Sequence, residues 1–140
     1  MFYFYESKVR YTKQTGEDNP AKVTEKYVVQ DINFGGAESI LLNLLMPYAF
    51  GGDIEVVAMK KVAPHDIIAC ESPEKVFKCK AVLIVVDGDK ESRKPVFFYV
   101  GADDLESARK TITDYLRSYD AELLSVEETK IIDIYKRPLA

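Results

Sequence analysis

Apolar and polar residues alternate along the first segment of the chain. Over residues 2–13, one face of an extended chain carries the residues Tyr3, Tyr5, Ser7, Val9 and Tyr11. The opposite face is mainly charged and includes Glu6, Lys8 and Arg10. Successive side chains of a strand point to opposite faces, so this pattern predicts a strand whose aromatic face packs on the core. A second strand is predicted over residues 23–32, with Tyr27 and Val29 directed inward.

The apolar period lengthens to that of a helix after this pair of strands. The first helical stripe is Ala37, Ile40, Leu41, Leu44, Leu45 and Tyr48, with Asn33 as the expected N-cap and Gly51–Gly52 ending the segment. The second helical stripe is Leu105, Ala108, Ile112, Tyr115, Leu116 and Tyr119. Asp103 stands three positions before Glu106, which predicts that Asp103 caps the second helix.

Further strands are predicted by short apolar or alternating runs. They cover residues 54–62, 67–69, 75–87, 94–101, 122–126 and 131–135. Asp87-Gly88-Asp89 is typical of a hairpin turn. Pro95 has no backbone N–H, so it is expected at a sheet edge or at the first position of its strand.

The order of these elements occurs twice, which indicates an internal duplication. Residues 53–57 match residues 120–124, the same register brings Asp66-Ile67 onto Asp133-Ile134, and Lys8 corresponds to Lys80. We predict an α+β fold, a single domain over residues 1–140, with ββαβ repeats at about 2–69 and 75–135. The sheet is expected to be mainly antiparallel, with both helices on one face. The repeats either share one continuous sheet or pack as a pseudo-dimer.

Several short segments together resemble a known family. They are Tyr5-Glu6-Ser7-Lys8-Val9, Val23-Thr24-Glu25-Lys26-Tyr27, Phe77-Lys78-Cys79-Lys80 and the acidic start of each helix. The chain resembles an uncharacterised domain-of-unknown-function family of short proteins from gut anaerobes and from their phages and mobile elements. The resemblance implies a phage or mobile-element accessory role and brings no activity with it.

Composition limits the classes of function that fit. The formal net charge of −4 argues against a general duplex-DNA binder, which usually has a basic excess. Two cysteines are too few for a disulfide framework, so reduced thiols in the cytoplasm are expected. The longest apolar run, near residues 81–86, is too short to span a bilayer, and no membrane partner is predicted.

Candidate catalytic and metal-binding residues are few. His65, Cys70 and Cys79 supply at most three of the four ligands that a zinc site needs. No serine lies in a nucleophile elbow, and Gly35-Gly36 lacks the Lys and Thr of a phosphate loop. We therefore predict a protein that is not an enzyme and has no cofactor and no metal.

Basic residues cluster on the outward positions of the predicted strands. The candidate nucleic-acid-binding residues are Lys8, Arg10, Lys26, Lys78, Lys80, Arg93 and Lys94, with Phe4, Tyr27, Phe97 and Tyr99 interleaved. Cationic side chains attract the phosphate backbone of a nucleic acid, and aromatic rings stack on its bases. The pattern therefore favours single-stranded nucleic acid. The opposing interpretation is that the aromatic residues are core and the lysines are solvated positions that protect sheet edges.

A protein-binding inhibitor or adaptor is the alternative function. Its partner would be a host protein, docking on a sheet edge or on the outer helical faces that carry Glu38, Glu106 and Asp114. The sequence leaves open a homo-oligomer.

Overall fold

The structure is a computed structural model that describes residues 1–13, 19–69 and 73–136. Within these residues the chain forms eight strands, two α-helices and one 3-10 turn at Met46–Tyr48. The first half contains β1 (Tyr3–Lys13), β2 (Ala21–Asp31), α1 (Phe34–Leu45), β3 (Ala49–Val62) and β4 (Asp66–Ala69). The second half contains β5 (Lys75–Asp87), β6 (Lys90–Ala102), α2 (Leu105–Leu116), β7 (Ala121–Glu128) and β8 (Ile131–Tyr135).

The described strands form two four-stranded mixed sheets. Their strand orders are β3-β1-β2-β8 and β4-β6-β5-β7. Within each sheet the three long strands are antiparallel neighbours, and the short fourth strand pairs in parallel. The sheets belong to two compact units, one made of residues 1–63 and 131–140, the other of residues 64–130. The predicted α+β class is confirmed.

The two sheets share an irregularity in their strand pairing. A register shift interrupts the pairing of β1 with β3 between Lys8 and Val9, and the pairing of β5 with β7 between Lys80 and Ala81. A β-bulge places one extra residue on one strand and increases its twist. The two irregularities fall at Lys8 and Lys80, the positions that the sequence pairs with each other.

Each helix packs on one face of its own sheet through three buried residues spaced four apart. These are Ala37, Leu41 and Leu45 in α1, and Ala108, Ile112 and Leu116 in α2. In α1 they meet the inward face of β1 and β2, where Tyr5, Val9 and Val29 are buried. The predicted stripes were too wide, because Leu44, Tyr48, Leu105 and Tyr119 are exposed.

The helix N-caps occupy equivalent positions in the two repeats. Gly36 N donates a hydrogen bond of 2.7 Å to Asn33 Oδ1, and Ser107 N donates one of 2.7 Å to Asp104 Oδ1. This bond satisfies a backbone N–H that has no partner inside the helix. The prediction that Asp103 is the cap was wrong by one residue. Asp103 instead accepts a hydrogen bond from Glu74 N.

Two predictions about strand boundaries were also wrong. Gly51 and Gly52 were expected to end the first helix, but they lie inside β3 with φ of 80° and 77°. Pro95 lies in the interior of β6, which is a central strand. Proline has no backbone N–H to donate to a neighbouring strand. It fits at this position because β4 pairs only with Phe98–Gly101, so β6 has no β4 partner beside Pro95.

Candidate nucleic-acid interface

Two lysines face each other on the side of the first sheet opposite α1. Lys8 of β1 and Lys26 of β2 are direct cross-strand partners. Like charges at such positions repel one another and destabilise a sheet. The pair therefore has an energetic reason to attract an anion.

A carboxylate and a third lysine complete this part of the surface. Lys60 of β3 is the cross-strand partner of Glu6. Glu6 Oε2 lies 3.5 Å from Lys60 Nζ, and Glu6 Oε1 lies 3.7 Å from Lys26 Nζ. Both distances are longer than a hydrogen bond. One carboxylate is thus shared by two ammonium groups, and the formal charge of the three groups together is +1.

A shallow cavity lies among these charges. It has a volume of about 230 Å³ and is lined by Glu6, Ser7, Lys8, Lys26, Ala58, Met59 and Lys60. Three lysines and one carboxylate give the cavity a formal charge of +2. A phosphate group, which is compact and anionic, matches that charge.

Arg10 extends the positive surface along β1. It is exposed, and it shares the outward face with Lys8 because the two are separated by two positions on one strand. Its cross-strand partners are Thr24 of β2 and Glu55 of β3. We call the set Lys8, Arg10, Lys26 and Lys60 the basic face. Among the described residues, Lys8 and Arg10 take part in no ion pair.

The second unit carries a weaker version of this arrangement. Lys80, the counterpart of Lys8, is exposed and faces Phe97 rather than a lysine. Lys78 Nζ lies 4.7 Å from the centroid of the Phe97 ring, a cation–π contact, and Lys78 has Glu127 as its partner on β7. Neither lysine therefore faces a second lysine across neighbouring strands, as Lys8 and Lys26 do.

Arg93 and Lys94, the last two predicted residues, do not add unpaired positive charge to the side of the sheet that carries Lys78 and Lys80. Arg93 lies on their side of the sheet, but its guanidinium forms an ion pair of 3.1 Å with Glu122. Lys94 pairs with Leu83, which places it on the opposite side from Arg93. Strand alternation thus removes Lys94 from the predicted surface.

The predicted aromatic residues are mostly unavailable for stacking. Tyr27 and Tyr99 are buried, and Tyr27 lies on the core face of β2. The predicted inward direction of Tyr27 and Val29 is thus confirmed, and Tyr27 is not one of the rings interleaved with the basic residues. Phe97 packs edge-on against Tyr99, with ring centroids 5.3 Å apart, and is half-buried. Phe4 shares the outward face of β1 and is also half-buried, so it is the ring nearest in register to the basic face.

Comparison with known proteins identifies the family but not an activity. A family model described as a domain of unknown function, DUF4494, matches residues 3–137. The chain belongs to the DUF4494 family. No curated protein matches it. The resemblance noted in the sequence is thus confirmed at the level of an uncharacterised domain family.

A buried carboxylate is the most unusual polar feature of this DUF4494 chain. Glu25 is 9% exposed and accepts hydrogen bonds from the hydroxyls of Tyr11 at 2.5 Å and Tyr27 at 2.9 Å. Lys13 Nζ lies 3.1 Å from its second oxygen. The Tyr135 ring stacks on Tyr27 with centroids 5.7 Å apart. The alternation of apolar and polar residues along β2 does not indicate the partners that come from β1 and β8.

The ionisation of this cluster follows from its contacts. Burial raises the pKa of the Glu25 carboxyl, but the hydrogen bonds from Tyr11, Tyr27 and Lys13 outweigh burial and hold the pKa below its ordinary value. Burial and the adjacent carboxylate raise the pKa of both tyrosines. Glu25 is therefore an anion at neutral pH, and it accepts hydrogen bonds from Tyr11, Tyr27 and Lys13. Such a saturated carboxylate suits a structural role rather than proton transfer.

Other chemically capable groups in the DUF4494 chain are dispersed. In the part of the chain that the structure describes, no three His, Cys, Asp or Glu side chains are placed to hold a metal ion. Cys79 is fully buried, and burial raises the pKa of its thiol to about 11. Cys70 lies outside the described residues. No helix among the described residues has both the length and the apolar character needed to cross a membrane.

Proposed function

We propose that this DUF4494 protein is a small non-enzymatic binding protein that binds single-stranded nucleic acid on the basic face of its first sheet. The observation that supports this proposal is the facing pair Lys8 and Lys26, joined by Lys60 around a single carboxylate. The chain as a whole has a net charge of −4, so the cationic surface stands out against an acidic molecule. It attracts a phosphate backbone while the rest of the molecule repels it.

The geometry favours a single strand over a duplex. The cationic positions lie across three neighbouring strands of a sheet, a surface on which an extended backbone can lie. Sheet surfaces of this kind hold single strands by backbone attraction, with bases stacking on nearby rings. In this proposal one phosphate group occupies the cavity among Lys8, Lys26 and Lys60. Arg10 contacts the next part of the backbone, and Phe4 supplies a ring.

Charge-neutralising substitutions in each of the two sheets test this proposal. We expect Lys8→Gln with Lys26→Gln to weaken binding of a fluorescent single-stranded oligonucleotide about tenfold or more, since two charge-assisted contacts are lost. Lys94→Gln is the matched control. Lys94 is exposed, but it lies on the side of its own sheet opposite Lys78 and Lys80. If the wild-type protein, the double variant and the Lys94→Gln variant bound the oligonucleotide with equal affinity, the basic face would be rejected as the binding surface.

The biological setting is part of the same proposal. A cytoplasmic accessory role for a phage or mobile element of gut anaerobes rests on the resemblance of the segments around Lys8, Lys26 and Lys80. It predicts that neighbouring genes encode phage or mobile-element proteins. A gene neighbourhood made of housekeeping enzymes would count against it.

A protein-binding role is the second candidate, and one observation favours it. Leu44, Met46, Tyr48 and Phe50 lie close together in the chain, and each is more than a third exposed. Exposed apolar side chains grouped in this way are typical of interaction surfaces. The predicted acidic helical face receives no support in α2, where Glu106 and Asp114 share a surface with Arg109, Lys110 and Arg117. Retention of oligonucleotide binding after Tyr48→Ser and Phe50→Ser would separate the two candidates.

A further inference from the structure

Each sheet is completed by the last strand of the other repeat. β8 follows β7 in the second repeat but pairs with β2 of the first. β4 follows β3 in the first repeat but pairs with β6 of the second. The exchange is reciprocal, and both pairings are parallel.

Strand direction shows why a repeat cannot complete its own sheet. β2 and β3 run in the same direction because both are antiparallel to β1. A strand that leaves β3 and pairs in parallel with β2 must first return along the length of the sheet. Such a crossover needs about a dozen residues or more.

The connections present are far shorter than that crossover. Residues 63–65 join β3 to β4, and residues 129–130 join β7 to β8. Three residues reach at most about 11 Å. The position beside β2 lies three strand spacings from β3, about 14 Å across the sheet, before any return along its length. The same argument applies to β7, which runs parallel to β6 because both are antiparallel to β5.

The exchanged strands make specific contacts in the sheets that receive them. Ile131 of β8 is buried, and Tyr135 stacks on Tyr27 of β2. Immediately before β4, His65 N donates a hydrogen bond of 2.8 Å to Phe97 O. Asp66 of β4 accepts a hydrogen bond of 2.7 Å from the Tyr115 hydroxyl of α2. These side-chain and backbone contacts specify the position of each strand.

We propose that the outer edges of β2 and β6 are strand-accepting sites, each built for the final strand of a partner repeat. In the intact chain the two repeats serve each other. The occupant of the β2 edge is a short parallel segment with an isoleucine that is buried and an aromatic ring that stacks on Tyr27. The two halves of the chain should therefore remain bound to each other without a covalent link.

Cleavage of the full-length chain tests this inference. A protease site is introduced between residues 71 and 72, the folded protein is cut, and the products are separated by native size-exclusion chromatography with mass determination. We expect the fragments to elute together as a one-to-one complex. Elution as separate fragments under native conditions would overturn the proposal.

Neighbouring isoleucines of β8 distinguish strand exchange from any other association of the halves. Ile131 is 5% exposed and Ile132 is 48% exposed. We expect Ile131→Asp to weaken the cut complex about tenfold to hundredfold, since it removes a buried aliphatic side chain from the β8 contact. Ile132→Asp should leave the affinity unchanged. Circular dichroism before cleavage verifies that each variant is folded, and an equal effect of both substitutions would refute the role of β8.

Discussion

The buried Glu25 cluster makes a quantitative prediction about stability. Tyr11→Phe removes the hydroxyl that donates to Glu25 Oε1 and leaves the aromatic ring in the core. A hydrogen bond to a charged group contributes about 1.5–3 kcal/mol. Glu25 keeps Tyr27 and Lys13 as donors, so the lower part of that range applies. We expect a loss of about 2 kcal/mol in the free energy of unfolding, or about 6–8 °C in Tm.

The pH dependence of this loss follows from the sign of the Glu25 pKa shift. The folded-state pKa lies below the ordinary value of 4.5, so its stabilising contribution is present above that value. The contribution disappears as the pH falls through the folded pKa. The penalty of Tyr11→Phe should thus be full at pH 7 and shrink in acid. The raised pKa of Tyr27 has the opposite consequence, since stability is lost as the pH rises above its ordinary pKa of 10.0.

Urea unfolding followed by circular dichroism, at pH 7 and at pH 3, measures this effect. Tyr3→Phe is the matched control, because Tyr3 lies on the same face of β1 but its hydroxyl does not belong to the Glu25 cluster. We expect that control to change stability by less than about 0.5 kcal/mol. A Tyr11→Phe penalty no larger than that of the control, or one that is equal at both pH values, would refute the reasoning.

Three further experiments test local features of the structure. Gly36→Ala should lower the free energy of unfolding in urea by about 1–3 kcal/mol, because the added Cβ would lie 2.7 Å from Asp31 Cγ. Gly35→Ala is the control and should be neutral or stabilising, because the nearest atom to its Cβ lies at 3.6 Å. Ser7→Ala should raise the unfolding free energy by about 1 kcal/mol, because the Ser7 hydroxyl is buried without a hydrogen-bond partner among the described residues. Cys79 should resist thiol reagents at neutral pH until the protein unfolds, measured in a variant in which the other cysteine is replaced.

The long strands and both helices could be predicted from the sequence because local patterns encode them. Alternation in β1 and β5, and helical spacing in α1 and α2, depend on neighbouring residues alone. The pairing of Lys8 with Lys80 identified two positions that also share a β-bulge. These features follow from side-chain periodicity, which a single chain displays directly.

The strand exchange and the charge pairs could not be predicted in this way. β4 and β8 have four and five residues, and nothing within them indicates which sheet receives them. The convergence of Lys60 with Lys26 on Glu6 depends on the register of three strands, which is a tertiary property. The position of Lys94 could have been recognised, since its parity along β6 differs from that of Phe97.

The salt dependence of oligonucleotide binding tests the proposed function most directly. For single strands, the logarithm of the association constant falls with the logarithm of salt concentration with a slope of about −0.7 for each phosphate contact. Four cations on the basic face predict a slope of about −3, and the Lys8→Gln, Lys26→Gln variant predicts about −1.5. A slope near zero, or the same slope for both proteins, would contradict binding of single-stranded nucleic acid at this face.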